Sequence, residues 1–148
     1  MMNSAAATVT PATTVGEVMT IDLVTLKVDD TLRMADDLMN LTRVRHFPVL
    51  DGDGVAGVIN QNDLLHASTV ALLRRPGDPP RDVLGEVKMR AVMKRATLVS
   101  SNTSIYEAAK IMVERDVECL LVLEGEKLAG LVSRTDLLLE LVKHRTSG

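Results

Sequence analysis

The chain has 148 residues, with 17 Lys and Arg against 20 Asp and Glu for a formal net charge of −3, which suits one ordinary domain or two small halves packed as one and argues against non-specific nucleic-acid binding. A single Cys excludes an intrachain disulfide framework and fits a reducing, cytoplasmic setting. No apolar run approaches the roughly 20 residues of a membrane span, and the opening "MMNSAAATVTPATT" lacks the basic start and apolar run of a secretory signal.

Residues 1–13 are small and polar and read as a flexible arm. Val15 to Met19 suits one short helical turn, and Leu23 to Val28 alternates apolar with polar residues as a strand does. Thr31 is an N-cap candidate for a helix carrying Leu32, Ala35 and Met39 at helical spacing. His46 to Leu50 reads as a buried strand, "DGDG" at 51–54 as a hairpin turn, and Val55 to Ile59 as the return strand. Asn60 can cap a helix with Leu64, Leu65 and Ala71. The segment "RRPGDPP" at 74–80 reads as a linker, because its prolines and glycine cannot continue a helix.

The same order then returns. Leu98 to Ser100 is a strand, and Thr103 or Ser104 caps a helix with Ile105, Ala108, Ala109 and Met112 on one face. Val117 to Leu123 and Leu128 to Val132 form a hairpin about residues 124–127. Ser133 caps a last helix with Leu137, Leu138 and Leu141 inward. The two copies superpose at an offset of 73 (119 minus 46). Val49, Leu50, Gly52, Ala56, Gly57 and Asp63 thereby meet Val122, Leu123, Gly125, Ala129, Gly130 and Asp136. The expected organisation is an arm at 1–13, a first repeat at 14–74, a linker at 75–86 and a second repeat at 87–145. Each repeat is small for an independent core. With no Trp, one Phe and one Tyr, that core must be Val, Leu, Ile, Met and Ala. A crossover helix makes the first two strands of each unit parallel, and the hairpin makes the third antiparallel. The expected class is therefore mixed α and β, as two β-α-β-β-α repeats.

Each repeat ends in a glycine, two aliphatics, a small polar residue, two spacers and Asp: Gly57-Val58-Ile59-Asn60-Gln61-Asn62-Asp63 and Gly130-Leu131-Val132-Ser133-Arg134-Thr135-Asp136. The plain reading is a capping box with an acid in the first helical turn. The same geometry suits a ligand. A helix start attracts anions, and a carboxylate one turn in can accept from both hydroxyls of a ribose. Spacing alone fits both readings. No group of His, Cys, Asp and Glu has metal-ligand spacing, no Walker loop or GxGxxG is present, and no nucleophile constellation accompanies His46, His66 and Asp63. The chain therefore does not read as an enzyme, and no cofactor is required.

Taken together, "TVGEVM", "LVTL", "RVRHFPVLD", the glycine-bearing hairpin and the Asp motif occur in one order, twice. This resembles a tandem pair of CBS domains, modules named after cystathionine beta-synthase, over residues 14–145. The resemblance implies a Bateman module. In such a module two three-stranded sheets pack about a pseudo-twofold axis and leave two clefts for adenosyl ligands: AMP, ADP, ATP or S-adenosylmethionine. It further implies that one cleft joins Ser133, Arg134 and Asp136 to Thr20, Val24, Thr25, Val44, Arg45 and His46. The other joins Asn60 and Asp63 to Met93, Thr97, Val117, Glu118 and Cys119. The first keeps the family's usual Ser and adds Arg45, His46 and Arg134 as phosphate partners. The second has Asn60 instead, and Glu118 would repel phosphate. By themselves, His46 reads as a packed or surface histidine and Cys119 as a small buried apolar residue. The implied function is a regulatory module that binds an adenosyl ligand, forms a homodimer and signals to a separate protein. The alternative is a structural dimerisation module with vestigial clefts.

Overall fold

The computed structural model describes residues 13–146; the expected flexible arm, apart from Thr13, lies outside the described residues. A 3-10 turn, Val15–Glu17, comes first. The helices are α1 (Leu32–Leu41), α2 (Gln61–Arg74), α3 (Pro80–Leu84), α4 (Met89–Val92), α5 (Ile105–Arg115) and α6 (Arg134–Thr146). The strands are β1 (Leu26–Lys27), β2 (His46–Asp51), β3 (Gly54–Asn60), β4 (Leu98–Ser100), β5 (Cys119–Glu124) and β6 (Lys127–Ser133). They form two three-stranded sheets, β1-β2-β3 and β4-β5-β6. In each sheet the first pair is parallel and the second antiparallel, as a crossover helix followed by a hairpin requires. Gly52 and Gly125 take positive φ, 61° and 65°, at the matching hairpin turns.

Several boundaries differ from the sequence reading. The strand expected over Leu23 to Val28 shrinks to Leu26–Lys27, and the one expected from Val117 begins at Cys119. The linker is not featureless. Pro80 sits at the first position of α3, where its missing N–H costs nothing. Ser104 rather than Thr103 caps α5, its hydroxyl accepting from Glu107 N–H at 3.0 Å. Thr31 caps α1 as expected, accepting from Met34 N–H.

The described residues divide into two compact units that do not coincide with the two sequence repeats: residues 23–96 form one, and residues 13–22 with 97–146 form the other. In the first unit the segment before β4 folds back onto β1 and α1. Met89 and Arg90 N–H donate to Asp30 and Val28 carbonyls, and Leu32 N–H donates to the Val87 carbonyl. Met89 is fully buried with Leu26, Leu32, Ala35, Phe47, Val49 and Ile59. In the second unit the segment before β1 does the same to β4 and α5. Val15 and Gly16 N–H donate to Thr103 and Ser101 carbonyls, and Val15 is fully buried with Ala108, Met112, Leu120, Val122 and Val132. Full burial of a Val or Met side chain stabilises by about 1.5–3 kcal/mol. Each leading segment is thus a core element of the unit built on the other repeat. The cores are aliphatic, Met39 and Met112 filling them as expected. On α6, Leu137 packs against its core, whereas Leu138 and Leu141, expected inward, are 61% and 66% exposed.

Candidate functional site

The two Asp motifs build the same local device. In the unit of residues 23–96, Asn60 is the N-cap of α2: its Oδ1 accepts from Asp63 N–H at 2.8 Å, and Asn60 N–H donates to Asp63 Oδ2 at 3.1 Å. In the other unit, Ser133 Oγ accepts from Asp136 N–H at 3.2 Å, and Ser133 N–H donates to Asp136 Oδ2 at 2.8 Å. Both are reciprocal capping boxes. The strand before each box fixes its place. His46 is opposite Asn60 and Cys119 is opposite Ser133 in the hairpin registers. Gln61 N–H donates to the Arg45 carbonyl and Arg134 N–H to the Glu118 carbonyl, both at 3.0 Å.

A short stretch of the leading segment runs beside each motif strand. Thr20 pairs with Leu131 through two backbone hydrogen bonds of 2.8 and 3.0 Å, and Lys94 pairs with Val58 through two of 2.8 and 2.9 Å. These approaches explain the motif glycines. A methyl at Gly57 would meet the Lys94 carbonyl oxygen at 2.6 Å, and one at Gly130 would meet the Thr20 carbonyl oxygen at 2.9 Å. Only glycine lets backbone come that close.

The expected site residues therefore divide between the two units. Thr20, Thr97, Val117, Cys119, Ser133, Arg134 and Asp136 belong to one; Val24, Thr25, Val44, Arg45, His46, Asn60 and Asp63 belong to the other. Within the former, the Thr20 bridge to Leu131 sets Thr20 two residues from Ser133 along the motif strand. Cys119 is buried and Arg134 is half-exposed. The Arg134 guanidinium, expected as a phosphate partner, donates to Asp116 at 3.2 Å. Asp116 is 96% exposed, so the pair holds the guanidinium only weakly.

The two carboxylates differ in their second oxygen. Among the described residues, Asp136 has no partner beyond its own capping box. Asp63 Oδ1 is taken by Lys94 Nζ at 2.6 Å, and the Asp63 side chain is only 7% exposed. Lys94 is the residue the sequence reading missed. The offset of 73 sets Lys94 against Ile21, but the backbone bridges set it against Thr20, an offset of 74. "VGEVMT" laid on "MRAVMK", with Met19 on Met93, carries that signal. A groove of about 390 Å³ runs between α2 and α4 in the same unit. Its polar residues are Asp63, His66, Arg74 and Lys94, and its walls are small aliphatic side chains.

Known proteins share this architecture. A CBS domain family model matches residues 15–69 and 84–143. A CBS domain-containing protein of Dictyostelium discoideum is 33% identical over 132 residues, covering 87% of this chain and 91% of its own. Among solved structures, the CBS domain of a bacterial CNNM/CorC family Mg2+ transporter in complex with ATP superposes with a TM-score of 0.74 at 24% identity, over 88% of this chain and 87% of that one. CBSX2 in complex with AMP superposes with a TM-score of 0.72 at 24% identity, over 90% and 99%. The chain spans less than half the length of several further curated relatives. With two matched regions that together cover most of its length, the chain belongs to the CBS domain family and carries two CBS repeats.

Proposed function

We propose that the chain is a regulatory module that binds an adenosyl ligand (AMP, ADP, ATP or S-adenosylmethionine) at the start of α6 and signals to a separate protein. The observation that carries this reading is the Asp136 carboxylate. One oxygen closes the capping box, and the other has no partner among the described residues. A ribose cis-diol supplies the two hydroxyl donors such a carboxylate can accept. Ser133 Oγ accepts from Asp136 N–H and keeps its own proton for a phosphate oxygen at a helix start that favours anions. The relatives solved with ATP and AMP support the ligand class. The module performs no chemistry in this reading and acts from the cytoplasm, its ligand shifting the population of its conformations. Thermal melting with and without AMP tests it. A ligand bound only by the folded state raises the midpoint, by about 2.7 kcal/mol of stability at a hundredfold excess over Kd. An unchanged midpoint with AMP, ATP and S-adenosylmethionine alike would contradict the reading.

A second reading, a dimerisation module without a ligand, is favoured by the exposed apolar side chains of α6, Leu138, Leu139 and Leu141. Homodimerisation belongs to both readings, and light scattering at tens of micromolar tests it: a dimer mass is expected, and a strict monomer would refute it.

A further inference from the structure

We propose that Lys94 is a built-in occupant of the Asn60/Asp63 motif and leaves the chain with one working nucleoside site, at Ser133/Asp136. This rests on the ligand class argued above and adds which motif is open and which residue decides it.

The two motifs build the same capping box on different caps, Asn60 and Ser133. Both carboxylates give Oδ2 to their own capping box. At Asp63 the remaining oxygen accepts from the Lys94 ammonium at 2.6 Å. At Asp136 it has no partner among the described residues. The difference traces to the leading segments. Lys94 and Thr20 hold the same backbone position beside the motif strand, each doubly hydrogen-bonded to the residue after the motif glycine. A threonine there carries no charge and is too short to do what the lysine does.

The energetics favour the lysine over a sugar. A neutral diol must displace a charged donor, and charge-assisted hydrogen bonds are roughly twice as strong as neutral ones. The Asp63 side chain is almost wholly buried, so little water compensates it once the ammonium leaves. The Lys94 chain, by contrast, is 68% exposed and reaches inward only at its tip. The ammonium is therefore held at the motif carboxylate while most of its chain stays in solvent.

Isothermal titration of the full chain with AMP tests this. The parent chain is expected to bind one AMP, and Lys94→Met two, the new site gaining about tenfold or more in affinity, the scale of one charged hydrogen bond. Lys94→Arg, which keeps the cation, stays at one. In the Asp136→Ala background binding is lost, and adding Lys94→Met restores one site. If Lys94→Met leaves one site, or weakens binding because the ammonium serves the phosphate, the inference is overturned while the Asp136 reading stands. If the parent chain binds nothing and the Lys94→Met, Asp136→Ala chain binds one AMP, the blocking role of Lys94 stands, and the working site at Ser133/Asp136 falls with the Asp136 reading. Binding by neither the parent chain nor any of the four variants overturns both. Circular dichroism of each variant confirms that the fold is kept.

Discussion

Thr20 and Lys94 are structural counterparts: each lies antiparallel to the strand leading into an Asp motif, and each carbonyl closes on a motif glycine that tolerates no side chain. One is a short neutral residue and the other a cation paired with the motif carboxylate. The repeat symmetry that gives the chain two equivalent helix starts is broken at this position. The consequences for ligand choice, packing and pH are open to measurement.

The site at Asp136 is expected to prefer ribose to 2′-deoxyribose. Removing one hydroxyl leaves a carboxylate lone pair without its donor, a loss of about 1–3 kcal/mol, so affinity should fall roughly tenfold. Calorimetry with AMP and its 2′-deoxy analogue checks this, and equal affinities would show that the diol is not read.

Gly130→Ala is expected to destabilise the chain and to weaken AMP together. The added methyl would meet Met19 Sδ at 2.5 Å and the Thr20 carbonyl oxygen at 2.9 Å. The Thr20 segment must move, at a cost of about 1–3 kcal/mol. For a chain of this size that lowers the melting midpoint by roughly 2–4 °C per kcal/mol. An unchanged midpoint would mean that the leading segment is not held against β6.

Acid should loosen the packing of the other leading segment. Arg90 donates to Asp29 Oδ1 at 3.0 and 3.3 Å, and Lys88 lies 3.6 Å away. The hydrogen bond and charge of Arg90, helped by Lys88, hold the Asp29 carboxyl below its ordinary value of 3.8. A carboxyl depressed on folding adds stability that is fully present above its unfolded value and is lost as pH falls through its folded value. The contribution should therefore be intact at neutral pH and drain away below pH 3.8. Because the pair is exposed, its effect is small. Asp29→Asn should lower the melting midpoint slightly at pH 7 and by less as the pH falls below 3.8, and a shift that grows with acid would contradict the sign.

Much of this was legible in the sequence. The alternation of His46–Asp51 and Gly54–Asn60 about "DGDG" fixes a hairpin locally, and Asn60 and Ser133 announce their own helix starts. These features depend on neighbours within a few residues. Which unit receives Val15 or Met89 does not, because both repeats offer the same aliphatic core and a short apolar turn suits either. The exposure of Leu138 and Leu141 was illegible for a related reason. The helix has leucine on more faces than one core can bury, so hydrophobicity alone does not say which leucines turn inward. The role of Lys94 was hidden by the slip from an offset of 73 to 74 between Thr20 and β1, where the first repeat carries one residue more than the second.

The central claim is that Asp136, and not Asp63, reads the ligand, and paired titration of Asp136→Ala and Asp63→Ala with AMP tests it most directly. Asp136 offers an uncommitted oxygen at its helix start, whereas Asp63 is committed to Lys94. The expected result is that Asp63→Ala binds AMP within about twofold of the parent chain, while Asp136→Ala binds at least roughly tenfold more weakly. Loss of binding in Asp63→Ala with binding preserved in Asp136→Ala would contradict the account.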